Sequence, residues 1–196
     1  MKIGLSKGRI EEVFYEKLVN NQVIDRYDLK SRKLETDISE YEFYSLKSDD
    51  IITLLSDKYI DIGIVGSDII KEKNNNNIIE LLDLQIGLCS FMLATPPNTD
   101  LNSIKKVATK YPIISKELLK SINLDCEIRK MNGSLEIAPR LNYADAIIDL
   151  VETGNTLRAN GLEEKVRFNN VSAKIVSRKD NKEDIKIKKF IKRIGE

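Results

Sequence analysis

Short β-type runs alternate with helical patterns along nearly the whole chain, and this alternation limits the folds that it can adopt. Residues 2–5 form the first apolar run, and a helical pattern follows over about residues 10–21. The apolar run 60–65 ends in Gly66-Ser67-Asp68, where another helix begins. Because strands that alternate with helices build βαβ units, the pattern predicts an α/β fold with a mainly parallel sheet.

A second set of α/β elements follows residue 88. It comprises strands near 107–108 and 126–130, a helix after Pro112, the apolar run 146–151 and a strand at 171–177. An amphipathic basic helix over about residues 183–194 comes last. The number of elements favours two lobes of about 90 residues each over one wide sheet. We expect residues 1–88 and 178–196 to form lobe I, and residues 89–177 to form lobe II.

Charge and hydropathy exclude several classes of partner. The 32 Lys and Arg residues nearly balance the 31 Asp and Glu residues, which argues against a nucleic-acid-binding protein. No apolar run approaches the roughly 20 residues that span a bilayer, and we expect no signal peptide. Cys89 and Cys126 lack metal-ligand spacing and are expected to be reduced thiols. These observations predict a cytoplasmic protein with no membrane partner and no protein-held metal.

The chain of 196 residues contains no histidine, which narrows the chemistry that is open to it. Histidine is the commonest general base near neutral pH, and it completes Ser-His and Cys-His triads and many zinc sites. Catalysis by this chain would therefore rely on carboxylates, Lys, Arg, backbone amides or a substrate-borne metal.

The strongest local motif joins the apolar run 146–151, which contains Asp149, to Glu152-Thr153-Gly154-Asn155-Thr156. Gly154 lets the backbone approach an anion, successive amides point inward, and the two threonine hydroxyls add donors. The motif fits a phosphomonoester, and Asp149 could accept hydrogen bonds from ribose hydroxyls. An ordinary polar strand-to-helix turn with Thr156 as the N-cap explains the same residues, and both interpretations stay open at this point.

Two further motifs also point to anions. Lys7 and Arg9 flank the start of the first helix, where cations are mildly unfavourable unless an anionic ligand is present. Glycines within the run that ends at Gly66 weaken a buried strand unless backbone or ligand comes close. Solvated basic residues and a helix-dipole role for Asp68 are the alternative explanations.

The order of these motifs is more specific than any one of them. Segment 146–156 resembles the phosphoribosyl-diphosphate loop of phosphoribosyltransferases, although Ile148 stands where salvage-type enzymes commonly carry a first acid. Together with Gly133-Ser134-Leu135-Glu136 and Ala144-Asp145-Ala146, the order resembles the ATP phosphoribosyltransferase family, which starts histidine biosynthesis. The resemblance covers residues 2 to about 177.

The resemblance implies the short form of this family. That form has two α/β lobes like type II periplasmic binding proteins, with the active site in the inter-lobe cleft. It joins N1 of ATP to C1 of phosphoribosyl diphosphate, with Mg²⁺ carried mainly by the substrate phosphates. The implied assembly is a homodimer within a hetero-oligomer that contains a separate regulatory subunit resembling histidyl-tRNA synthetase.

The resemblance also implies roles for individual residues. The cations expected to act in catalysis on the diphosphate or triphosphate charge are Lys7, Arg9, Arg32 and Lys47. Gly66 and Asp68 are expected to line the ATP side together with Lys7 and Arg9. Asp149 would hold the ribose hydroxyls of phosphoribosyl diphosphate, and its 5′-phosphate would be bound by Glu152, Thr153, Gly154, Asn155 and Thr156.

Departures from the family pattern and rival functions stay open at this level. Asn142-Tyr143 replaces the family's Gly-Leu, and Lys47 stands where the family often uses Arg, which keeps the charge but loses the bidentate fork. A salvage phosphoribosyltransferase shares the Thr-Gly-x-Thr loop, and a two-lobed binding module without chemistry shares the element pattern. The basic C-terminal helix favours packing through its apolar stripe, with a subunit contact as the alternative.

Overall fold

A computed structural model describes residues 1–25 and 34–195, so the predicted site residue Arg32 lies outside the described part of the chain. The chain divides into two compact units. One contains Met1–Gly87 and Ser172–Glu196, and the other contains Leu88–Val171. Among the described residues, no helix has the length and apolar character needed to cross a membrane.

The first stretch of the chain alternates strands and helices as the sequence predicts. In order, its elements are β1 (Lys2–Ser6), α1 (Arg9–Asn20), β2 (Glu35–Ile38), β3 (Tyr41–Leu46), α2 (Ser48–Ser56), β4 (Ile62–Gly66), α3 (Ser67–Lys73) and β5 (Ile78–Asp83). The second unit has β6 (Cys89–Thr95), β7 (Lys106–Thr109), α4 (Pro112–Ser121), β8 (Glu127–Lys130), β9 (Ala146–Val151), α5 (Asn155–Ala159) and β10 (Glu163–Val171). The chain ends with β11 (Ala173–Arg178) and α6 (Ile185–Gly195).

The sheet of the first unit has the order β2-β3-β1-β4-β11-β5. Strand β1 pairs in parallel with β3 on one side and with β4 on the other, so that Gly4 lies opposite both Tyr44 and Gly63. Strands β2 and β11 pair antiparallel with their neighbours. The carboxyl ends of β1, β3 and β4 therefore lie at one edge of this sheet.

The return of the chain to the first unit differs from the predicted boundary at residue 177. Strand β11 pairs antiparallel with β4, with Ala173 opposite Gly66 and Ile175 opposite Ile64. Ala173 and Ile175 are buried in the core of the first unit. Because these side chains complete that core, the strand lies in the first sheet, and the second unit ends at Val171.

The sheet of the second unit has the order β10-β6-β9-β7-β8. Strand β7 pairs in parallel with β8 and β9, whereas β6 pairs antiparallel with both β9 and β10. The predicted parallel character thus holds only for the β8-β7-β9 half. At that half, the turns that follow the three strands lie at the same edge.

Helix α6 packs its apolar stripe against the core of the first unit. Ile187, Phe190 and Ile194 are at most 1% exposed, and the Phe190 ring lies 5.0 Å from that of Tyr41. The lysines of the helix remain exposed. Burial of these large apolar side chains stabilises the helix on the unit, while the lysines stay in contact with solvent. The helix therefore has the packing role that the sequence pattern favours.

Gly4 and Gly63 lie opposite each other in the register of β1 and β4. Side chains packed over both positions leave no room for a Cβ atom. A Cβ atom at Gly63 would lie 2.4 Å from Ile51 Cγ2 and 3.0 Å from Leu55 Cδ1. A Cβ atom at Gly4 would lie 2.7 Å from Ile60 Cδ1. Close packing of α2 over Gly63, and of the Ile60 side chain over Gly4, therefore explains these two glycines without a ligand.

We predict that Gly63→Ala lowers the free energy of unfolding by about 1–3 kcal/mol, since α2 must move away from the sheet. Urea-induced unfolding measures the change. Gly133→Ala is the matched control, because a Cβ atom there meets nothing within 4 Å. A Gly63→Ala protein as stable as the control would show that α2 does not pack on this strand as described.

Candidate functional site

Three turns of the first unit lie at the edge where its parallel strands end. They are Ser6-Lys7-Gly8 after β1, Leu46-Lys47-Ser48 after β3, and Gly66-Ser67-Asp68 after β4. The Lys7 amide donates to the Leu46 carbonyl at 2.8 Å. The Ser6 and Ser48 hydroxyls share a hydrogen bond. The topology thus brings the predicted residues Lys7, Lys47, Gly66 and Asp68 to one edge, with Arg9 at the start of α1.

This edge combines the starts of three helices with cationic side chains, and the first turns of these helices also carry acids, namely Glu11, Glu12, Asp49, Asp50 and Asp68. Helices α1, α2 and α3 begin there, and none of these helices, as far as the structure describes them, has a side-chain cap hydrogen bond. Amides of a first helical turn lack intrahelical partners and favour anions. The side chains of Lys7, Arg9 and Lys47 are exposed beside these amides. The arrangement can therefore bind a polyanion.

Gly8 makes the first of these turns possible. It adopts a φ of 101°, in the left-handed region that glycine tolerates and other residues rarely enter. The turn lets β1 end at Ser6 and α1 begin at Arg9 with only two residues between them. Lys7 and Arg9 are consequently held close to the start of the helix.

Asp68 and Gly66 form a packed pair at the start of α3. The Asp68 side chain is buried, with 7% of its surface exposed. A Cβ atom at Gly66 would lie 2.1 Å from Asp68 Oδ1, and the next atoms that it would meet also belong to Asp68. Gly66 has an ordinary φ of −65°, so the glycine is required by the carboxylate and not by the backbone. The glycine and the acid in the motif therefore depend on each other.

The loop after β9 carries the remaining predicted residues, which lie in the second unit. Gly154 adopts a φ of 73° and forms the N-cap position of α5. Glu152, Thr153, Asn155 and Thr156 are exposed, while Leu157 is buried and anchors the short helix. Thr156 is the second residue of α5, so the alternative interpretation of Thr156 as the N-cap is wrong. The turn instead presents backbone and hydroxyl donors to solvent.

Arg158 spans this loop, and sequence reasoning missed it. Its Nη2 atom donates to the Thr153 carbonyl at 2.9 Å and to Asn155 Oδ1 at 2.6 Å. The guanidinium therefore fastens both sides of Gly154. The sequence alone assigns it no role, because that role depends on how α5 turns back over the loop.

Asp149 and Thr109 lie on neighbouring parallel strands of the same sheet. Asp149 is half-buried, and its Oδ1 atom accepts from the Leu150 amide at 2.8 Å. Thr109, opposite Ile148 at the end of β7, is fully buried and accepts from the Tyr111 amide and the Ser115 hydroxyl. Thr109 therefore shapes the adjacent turn, a role that the sequence reading did not anticipate.

Tyr143, in the segment Asn142-Tyr143 that departs from the family pattern, and the nearby Asp145 both have local structural partners. Arg129 donates to the Tyr143 carbonyl at 2.9 Å, and its guanidinium lies 4.9 Å from the centre of the Tyr143 ring. Asp145 accepts from the Lys105 and Lys106 amides at 2.8 and 2.9 Å. Tyr143 thus packs against β8, and Asp145 fixes the start of β7.

Comparison with known proteins agrees with the motif order. The family model described as HisG: ATP phosphoribosyltransferase matches residues 47–196. An ATP phosphoribosyltransferase of Clostridium novyi is 40% identical over 190 residues, which are 91% of this chain and 88% of the relative.

Solved structures agree on the fold. The ATP phosphoribosyl transferase (HisG:HisZ) complex from Thermotoga maritima contains a chain with a TM-score of 0.80 and 25% identity, covering 100% of this chain and 96% of that one. A Candida albicans protein with the generic periplasmic binding protein fold has a TM-score of 0.66 at 14% identity, covering 99% of this chain and 69% of that one. The predicted fold class, two α/β lobes like periplasmic binding proteins, is confirmed.

We predict that Gly66→Ala lowers the free energy of unfolding by about 1–3 kcal/mol because its methyl group displaces the buried Asp68 carboxylate. In an Asp68→Ala background, the same substitution should change stability by less than about 1 kcal/mol, since the clashing atoms are gone. Urea unfolding of the four proteins gives the coupling. Equal costs in both backgrounds would contradict the packed pair.

Proposed function

The chain belongs to the ATP phosphoribosyltransferase family, and we propose that it binds ATP at the strand edge of the first unit and phosphoribosyl diphosphate at the loop of residues 152–156. The reaction is the first step of histidine biosynthesis. It joins N1 of the ATP adenine ring to C1 of phosphoribosyl diphosphate and releases pyrophosphate. The resemblance read from the sequence is thereby confirmed, and the assignment of substrates to particular residues is our proposal.

The geometry of the loop at residues 152–156 is the observation that carries the assignment of phosphoribosyl diphosphate. Gly154 in the left-handed region, followed at once by a helix start, turns consecutive amides outward. The exposed Thr153 and Thr156 side chains can add hydroxyl donors to a 5′-phosphate. Asp149, which lies on β9 three residues before Glu152, is suited to accept hydrogen bonds from ribose hydroxyls.

The strand edge of the first unit suits the more highly charged substrate. Lys7, Arg9 and Lys47 are exposed beside the starts of α1 and α2, where triphosphate or diphosphate charge is stabilised. Gly66 and Asp68 would line the ATP side at the start of α3. The expected role of Arg32 on the same charge rests on the sequence resemblance alone.

The chemistry requires charge stabilisation more than proton transfer. The N1 lone pair forms a bond to C1 while the bond from C1 to the diphosphate oxygen breaks, and the leaving diphosphate takes the electron pair. Adenine N1 has a lone pair available, so a histidine base is not needed. Lys7, Arg9 and Lys47 would stabilise triphosphate charge and the charge of a departing diphosphate.

Mg²⁺ is expected to act as a companion of the substrate phosphates. When bound, it would neutralise phosphate charge and so favour departure of the diphosphate. Asp149 and Glu152 supply carboxylate oxygens beside the loop, and oxygen is the donor that Mg²⁺ prefers. These oxygen donors are compatible with a metal that the substrate phosphates bring with them, and we expect no metal held by the protein alone.

We propose that this chain works together with a separate regulatory subunit. The Thermotoga maritima chain that it resembles is part of a HisG:HisZ complex, and the two chains match over almost their full lengths. We propose a homodimer of this chain within a hetero-oligomer that contains a HisZ-type subunit resembling histidyl-tRNA synthetase. Inhibition by histidine would then reside outside this chain, and we place the enzyme in the cytoplasm.

The rival functions are less well supported. A salvage enzyme for free bases shares the loop after β9, but it does not need the Lys7 and Asp68 motifs. A binding module without chemistry shares the fold with the periplasmic binding proteins, but the curated relative at 40% identity is named as a transferase.

The decisive experiment is pyrophosphate release from ATP, phosphoribosyl diphosphate and Mg²⁺. It is run with this chain alone and with a HisZ-type subunit, and with free purine and pyrimidine bases in place of ATP. We expect turnover with ATP only, and an increase on adding the partner. Turnover with a free base would favour a salvage enzyme. If no pyrophosphate were released under any of these conditions, the protein would be a binding protein without this activity.

The loop assignment predicts a selective effect of Thr156→Val. The substitution removes one hydrogen bond, which contributes about 1 kcal/mol to binding. We therefore expect KM for phosphoribosyl diphosphate to rise roughly fivefold and KM for ATP to stay within about twofold. Steady-state kinetics with each substrate varied in turn measures both constants. Thr53→Val, on the exposed face of α2, is the matched control. An unchanged KM for phosphoribosyl diphosphate would remove Thr156 from the site.

A further inference from the structure

A carboxylate outside the motifs lies at the same edge of the first sheet as Gly66 and Asp68. Strands β4 and β5 both run antiparallel to β11, so their carboxyl ends share that edge. Asp83 is the last residue of β5, and it lies opposite Lys174 in the register. Nothing in the proposed chemistry uses this acid.

Asp83 is held by donors from two separate parts of the chain. Its Oδ1 atom accepts from the Ser172 hydroxyl at 2.8 Å and from the Gln85 amide at 3.0 Å. Its Oδ2 atom accepts from Lys174 Nζ at 2.7 Å and from the Gln85 side-chain amide. The carboxylate thus joins the segment after β5 to the segment that enters β11.

Lys174 makes this an ionic contact in a sheltered place. The Lys174 side chain is only 16% exposed, and its other acidic neighbour, Glu80, is more distant at 3.8 Å. Burial alone raises the pKa of Asp83, but the hydrogen bonds from Lys174, the Gln85 amide and Ser172 outweigh it and lower the pKa. Asp83 is therefore ionised, and charge-assisted hydrogen bonds hold its partners more firmly than neutral ones.

Ser172 connects this carboxylate to the proposed ATP side. Its side chain is bonded to Asp83, while its carbonyl accepts from the Ser67 amide at 2.9 Å. Ser67 is the first residue of α3, between Gly66 and Asp68. Ser172 is buried, with 8% of its surface exposed, and its two bonds link Asp83 directly to the first residue of α3. A displacement at Asp83 would therefore reach the turn that carries Asp68.

We propose that Asp83 is a positioning residue for the nucleotide side of the reaction, acting through Ser172 on the turn at Gly66-Ser67-Asp68. Asp83 does not touch the substrate in this role; it sets the place where α3 begins and where the Asp68 carboxylate lies. The inference rests on the proposed function, which assigns ATP to this edge.

The test compares Asp83→Asn, Ser172→Ala and the double variant, assayed alone and with a HisZ-type subunit. We expect Asp83→Asn to raise KM for ATP roughly fivefold, with KM for phosphoribosyl diphosphate within about twofold. Ser172→Ala should shift the same constant in the same direction. Since the two residues act in one chain of bonds, the double variant should be no worse than the stronger single variant.

Controls separate positioning from general destabilisation. Asp180→Asn removes an exposed carboxylate that is ion-paired with Arg178 in the same unit, and it should leave both KM values unchanged. Asp83→Asn removes the closest acid from Lys174, whose side chain is only 16% exposed. The double variant Asp83→Asn/Lys174→Met removes this unpaired charge as well, so that loss of stability is not mistaken for loss of positioning. If Asp83→Asn raised KM for ATP and KM for phosphoribosyl diphosphate by the same factor, the positioning role would be overturned. A lower Tm with both KM values unaltered would also overturn it.

Asp68→Asn, measured in parallel, distinguishes failure of this inference from failure of the substrate assignment. If Asp68→Asn raises KM for phosphoribosyl diphosphate instead of ATP, the assignment of ATP to this edge is wrong. The positioning role then stands only if Asp83→Asn raises the KM of that same substrate. Any pattern in which Asp83→Asn and Asp68→Asn affect different substrates overturns it.

Discussion

The parallel pairing of β1 with β3 and β4 is the constraint on which the first unit depends. Parallel strands need crossover connections, and here each crossover returns through a helix that begins where the preceding strand ends. The register that sets Gly4 opposite Tyr44 and Gly63 fixes the turns at Lys7, Lys47 and Gly66 relative to one another. A one-residue slip would turn buried Ile3 and Leu5 away from the core, so burial keeps the edge in place.

The second unit also places a turn with free donors at the end of a strand, but its sheet is built differently. Its sheet is parallel only from β8 through β7 to β9, and antiparallel strands complete the rest. The loop after β9 is short, and left-handed Gly154 directs its amides while Arg158 fastens its two sides. In the first unit the starts of α1, α2 and α3 supply free amides, whereas in the second a tight turn with hydroxyl side chains supplies the donors.

The elements that follow a clear apolar period could be predicted from the sequence, and those that depend on distant partners could not. Strands β2 and β10 are edge strands rich in charged and polar residues, so they carry no buried stripe for a local reading to detect. Strand β11 is apolar enough for either sheet, and its pairing with β4 and β5 decides its unit. Among the site residues, Lys7 and Gly154 stand in local motifs, while Asp83 acts through contacts with Ser172 and Lys174, which lie far away along the chain.

Lys47 illustrates how the site can work by charge without a bidentate guanidinium. It is the residue before α2 and has an extended backbone, so the amides of the first helical turn lie beside its side chain. Under the proposed assignment, those amides supply the directional hydrogen bonds to a diphosphate, and the ammonium needs to supply only charge. The same division between backbone direction and side-chain charge applies at Lys7 and Arg9, where α1 begins. Because a departing diphosphate needs charge neutralisation more than a proton, a chain without histidine can carry out this transfer.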